Sequence, residues 1–124
     1  MEEELEKIWN HMHEAPEREQ IKLFLEYCDK LVEYKDKGEC SEEFVGYRVT
    51  GIGLQFDAIS DSNIFEDLLS VASDMEWSRN ISYKQDIDSW NAERAEDIKS
   101  EEWKMFLKAL AEAHAQYGKQ NTEV

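Results

Sequence analysis

One proline and five glycines in 124 residues leave this chain little to turn with. A β-sandwich or barrel reverses direction every few residues and places Gly, Pro, Asn or Asp at each reversal. Long segments between rare breakers point to helices instead. Apolar residues make up 41% of the chain, too many for a disordered segment. A chain of this length is expected to form one domain and to bury roughly two thirds of its unfolded surface.

The apolar spacing agrees with helices. Leu5, Ile8, Trp9 and Met12 stand on one helical face over about residues 3–14, and Pro16 ends that helix by pushing Ala15 out of the helical region. Pro16 then opens a second helix. Its stripe of Ile21, Phe24, Leu25, Cys28, Leu31 and Val32 is widened by Leu23, Tyr27 and Tyr34, which predicts contact with two neighbours. Lys35, Lys37 and Gly38 fit its C-terminal end, and Ser41 with Glu42 and Glu43 fits the start of a third. Asp61-Ser62-Asn63 is a turn, followed by a helix carrying Ile64, Leu68, Val71 and Met75 and ending near Trp77. Ser82 with Gln85 fits a capping box for a helix marked by Ile87, Trp90, Arg94 and Ile98. Ser100 begins a last helix, or a continuation, with Trp103, Phe106, Leu107, Leu110 and Tyr117 on its face and Gly118 as its cap. The expected fold is an all-α, single compact bundle of five or six helices over residues 1–118, with 119–124 as a frayed tail.

Residues 44–59 are ambiguous. As a helix they place Val45, Val49, Ile52, Phe56 and Ile59 on one face, and Gly46, Thr50 and Gly53 in a small-residue stripe open to close approach by another backbone. As a β-hairpin they alternate Ile52, Leu54 and Phe56. Gly51 and Gly53 disfavour both forms, costing a helix about 1 kcal/mol each relative to Ala.

Charge constrains function more than any motif does. Twenty-nine acids against fourteen bases give a net charge of −15, beyond the magnitude of about 2–8 usual for a soluble small domain. Such a chain repels phosphate backbones and anionic lipid, so direct nucleic-acid binding and membrane attachment are not expected. No run of apolar residues is long enough to span a bilayer, and MEEELEK lacks the features of a secretory leader, so a cytoplasmic location is expected. No Lys or Arg occurs between Arg48 and Arg79, an interval holding Asp57, Asp61, Glu66, Asp67, Asp74 and Glu76. Residues 57–97 therefore form the acidic half. It reads either as a solvated face or as a docking face that steers a basic partner. Within it, Asp74, Glu76 and Trp77, and Asp86, Asp88, Trp90, Glu93 and Asp97, are the candidate partner-binding residues, because an aromatic anchor ringed by acids suits a basic protein. Burial in the core is the competing expectation for both tryptophans.

The constellations of known chemistries are missing. His11 and His13, two apart, diverge by about 200° on a helix and cannot share a metal. His114 falls at the edge of an apolar stripe. Cys28 and Cys40 read as reduced thiols, and the chain carries no Cys-x-x-Cys, His-Glu-x-x-His or Gly-x-Ser-x-Gly. No metal, cofactor or catalytic residue is expected, and the chain is read as no enzyme. The leading expectation is an acidic binding protein that covers a basic protein partner, most concretely an immunity protein or antitoxin inhibiting a cationic toxin. The alternative is a helical regulatory or adaptor module whose charge serves solubility. A homodimer is compatible with the wide apolar stripes.

Overall fold

Helix ends are written into local hydrogen bonds throughout. The computed structural model describes residues 2–77 and 101–122, with side chains for 2–76 and 101–118. Helix α1, Glu2–Glu14, stops at Ala15, as the following proline requires. The Gln20 side chain clasps this end, its Nε2 donating to the Met12 oxygen at 3.0 Å and to the Ala15 oxygen just beyond the helix at 3.2 Å. Pro16, at φ −65°, is the N-cap of α2, Glu17–Asp36. At the far end of α2, Gly38 takes φ 77°. The Glu39 amide donates to the Tyr34 carbonyl at 2.9 Å and the Gly38 amide to the Lys35 carbonyl at 3.0 Å. This is a Schellman turn, and glycine supplies its left-handed residue without penalty.

Helix α3, Glu42–Gln55, begins where Ser41 accepts a bond from the Phe44 amide at 3.2 Å. The ambiguous segment is thus helical. Val45, Val49 and Ile52 are buried, while Leu54 is 82% exposed, as helical phase requires and strand alternation does not. Phe56 adopts an extended conformation (φ −122°, ψ 109°) and breaks the helix, and the short α4, Asp57–Ser60, follows. A 3₁₀ turn at Asn63–Phe65 leads into α5, Glu66–Trp77. Helix α6 spans Glu101–Thr122. It runs through Gly118, expected as its cap, because that glycine is not in the left-handed region and polar residues continue the helix.

The described residues are all-α, with no strand among them. Helix α2 is central and packs against α1, α3, α4 and α6, so its wide stripe serves more neighbours than two. Phe24 of α2 meets Phe65 edge to face at a centroid separation of 4.8 Å. Trp103 and Phe106 of α6 are fully buried, and the buried Lys35 lies 5.6 Å from the Trp103 ring. Among the described residues, α3 and α5 share the most extensive helix–helix packing. A Cβ placed on Gly46 would stand 2.5 Å from the Ala72 carbonyl oxygen and 2.6 Å from the Glu76 amide nitrogen. On Gly53 it would meet the Leu69 side chain at 2.9 Å. The small-residue stripe thus does what its spacing predicts. No helix of the described residues is long and apolar enough to cross a membrane.

Candidate functional site

Of the eight candidate partner-binding residues, the described structure contains three. Asp74 is exposed on α5. Glu76 is half-buried, turned toward α3. Burial pushes its carboxyl up, with the Thr50 hydroxyl acting in the opposite direction. Trp77 is the last residue of α5. Asp86, Asp88, Trp90, Glu93 and Asp97 lie outside the described residues, as does the helix expected over 82–98.

Asp74 belongs to a groove of about 450 Å³ between α5 and α6. Val71 and Ala109 are its buried apolar floor, and Met105, 53% exposed, stands on the α6 side. Asp67, Asp74 and Glu112 rim it, with Lys108 as its cation. The charge around this groove follows from where the bases sit. On α2, Glu33 pairs with Lys37 at 3.0 Å and Lys30 at 3.4 Å, and on α6 Glu101 pairs with Lys104 at 3.3 Å. Residues 49–77 contain no Lys or Arg, so Asp57, Asp61, Glu66, Asp67 and Asp74, all exposed, have no basic neighbour along their own segment.

A second concavity, of about 370 Å³, lies between α1 and α3, with Tyr27 of α2 behind it. Glu2, Glu6 and Trp9 come from α1, and Tyr47, Arg48, Gly51 and Gln55 from α3. Spacings of three and four residues on each helix bring them to one face. The Arg48 side chain is 24% exposed, and its Nη2 donates to both Glu2 carboxylate oxygens at 2.8 and 2.9 Å. Its guanidinium lies 5.0 Å from the Phe44 ring centroid. Burial pushes the Tyr27 phenol up, against the lowering effect of Arg48 beside it. Trp9 is half-buried and meets His13 and Phe56 edge to face at 4.9 and 5.4 Å. Periodicity does not announce this cleft, because its ion pair joins residues 46 apart. Its signal in the sequence is the spacing of Glu2, Glu6 and Trp9 on α1 and of Tyr47, Gly51 and Gln55 on α3.

Neither thiol is placed as a nucleophile. Cys28 and Cys40 are free and fully buried. Burial raises the Cys28 thiol well above its ordinary value and pushes Cys40 up to about 12, Lys35 opposing. His114 is exposed, with its Nε2 2.9 Å from Asp29 Oδ1, and so ties α6 to α2. Among the described residues, no three His, Cys, Asp or Glu side chains converge as a metal site. Comparison with protein-family models, with curated proteins and with solved structures returns no match.

Proposed function

We propose that this chain is a non-enzymatic acidic protein that covers a basic protein partner, most concretely a cytoplasmic immunity protein or antitoxin that blocks a cationic toxin. The observation that carries this reading is the groove between α5 and α6, where an apolar floor with the exposed Met105 is rimmed by Asp67, Asp74 and Glu112. An apolar centre with a charged rim is the usual layout of a protein interface. The rim's sign selects a basic partner and speeds encounter with it. Asp74, Glu76 and Trp77, together with Asp86, Asp88, Trp90, Glu93 and Asp97, extend the proposed contact along the acidic half.

The test is co-purification and binding kinetics with the product of the neighbouring gene, when that product is basic. The expected result is a stoichiometric complex that suppresses the partner's toxicity and whose association slows steeply with salt. Salt-independent association, or none, removes the docking face and leaves the regulatory or adaptor reading, in which the acids serve solubility.

A further inference from the structure

We propose that the cleft between α1 and α3 is a receptor for one arginine side chain of the basic partner. This rests on the reading above and adds a specific contact to it. Three observations lead there. The first is an empty place on α3. Gly38 is required by its positive φ, and Gly46 and Gly53 by what an added Cβ would strike. Gly51 meets neither condition: it is not in the left-handed region, and a Cβ there would find nothing within 4 Å. A helix-interior glycine without a packing role weakens the helix. What this one does is keep the α3 wall of the cleft open to close approach by an occupant.

The second observation is charge. The cleft holds two carboxylates, Glu2 and Glu6, and one guanidinium, Arg48. Glu2 is engaged by Arg48, which leaves the exposed Glu6 as the surplus negative charge at the rim. The lining thus matches a monocation and would repel an anion that had to pass Glu6. The third is the walls. The Trp9 and Tyr47 rings, both half-buried, offer π surface, on which a guanidinium stacks better than an ammonium. Arg48 already demonstrates the pairing within the fold, lying over Phe44 with a carboxylate at its Nη2. The cleft's size, about 370 Å³, suits one long side chain, at the small end of ligand sites.

The test is a titration of the isotope-labelled full chain with Nα-acetyl-arginine-N-methylamide at low salt, following the Trp9 indole N–H, which is assigned by its loss in Trp9→Phe. A saturable shift is expected with the arginine probe and none with the neutral citrulline analogue. Glu6→Gln should weaken binding about tenfold, as loss of one charge-assisted hydrogen bond does. Gly51→Leu, which fills the cleft, should abolish it while the circular dichroism stays helical. If Gly51→Leu does not fold, the exposed Glu6→Gln decides alone. Equal binding of citrulline, preferential binding of the glutamate analogue, or unchanged binding by the folded variants overturns the proposal. The same variants separate it from its premise. A basic partner bound by Gly51→Leu as tightly as by the parent chain refutes the cleft only. An arginine probe that binds where no basic protein does refutes the partner reading.

Discussion

Gly46 of α3 lies directly against the Ala72 carbonyl of α5, leaving no room for a side-chain carbon between the two backbones. The two nearest atoms are main chain and the third is the Met75 Cβ, so nothing flexible can yield. Gly46→Ala should therefore cost about 1–3 kcal/mol, the usual penalty of overpacking. Gly53→Ala should cost less, because the obstructing atom is the end of the Leu69 side chain. Gly51→Ala should stabilise by about 0.5–1 kcal/mol, since only helix propensity changes there. Urea unfolding of the three variants checks the order. An equal loss in all three would show that the α3–α5 contact is not the tight one.

The pH dependence of stability should carry a signature of Glu76. Its carboxyl is held above the ordinary 4.5 in the folded state, chiefly by burial. The folded protein then binds the proton more tightly than the unfolded chain. Stability should fall as pH rises from 4.5 through the folded value, and the cost persists at neutral pH. Glu76→Gln should raise the melting temperature at pH 7 and leave it unchanged below pH 4. A variant less stable at pH 7 would mean that the ionised carboxylate is favourably bound.

The Tyr34 hydroxyl donates to the Glu4 carboxylate and closes α1 onto α2. That bond holds the Glu4 carboxyl below its ordinary 4.5, with Lys30 helping, and the Tyr34 phenol up at about 12. Its contribution is full between about 4.5 and 10. It is lost at the acid end as pH falls through the lowered Glu4 value, and at the alkaline end as pH rises toward 12. Tyr34→Phe should flatten both limbs of the stability–pH curve, measured as the urea midpoint across pH.

For the proposed docking face, reversing Asp67 and Asp74 to Lys should slow association with a basic partner and reduce its salt dependence, with little change in dissociation. Stability should change by no more than about 0.5 kcal/mol, because both are exposed. Trp90→Ala should raise the off-rate by an amount worth about 2 kcal/mol if the residue anchors the partner. A melting curve lowered by the equivalent of about 3–5 kcal/mol would place Trp90 in the core instead.

Much of the fold was legible because it is local. Pro16, Gly38 and Ser41 each end or begin a helix through bonds to residues a few positions away, and the apolar stripes of α2, α5 and α6 are buried in the core, with Ile21, Val32, Leu107 and Tyr117 partly buried at its edge. The helix–hairpin ambiguity of residues 44–59 arose from glycines that disfavour both forms. What resolves it is tertiary, since Gly46 is tolerated in a helix only because α5 presses against it. The break at Phe56 had no Gly or Pro to announce it. The clasp of Gln20 on α1 and the Glu2–Arg48 pair depend on side chains meeting in space, and with them the α1–α3 cleft stayed out of reach of periodicity.

The two buried thiols make the chain its own reporter of opening. With Cys28 in the centre of α2 and Cys40 in the connection to α3, an alkylating reagent reaches neither until the structure around it parts. The rate at which Cys28 is labelled measures exposure of the central helix. Cys40 measures the parting of one turn, the Gly38 turn and the segment leading to Ser41. A gap between the two rates would resolve, without any introduced probe, whether the bundle opens as one unit or from that turn outward.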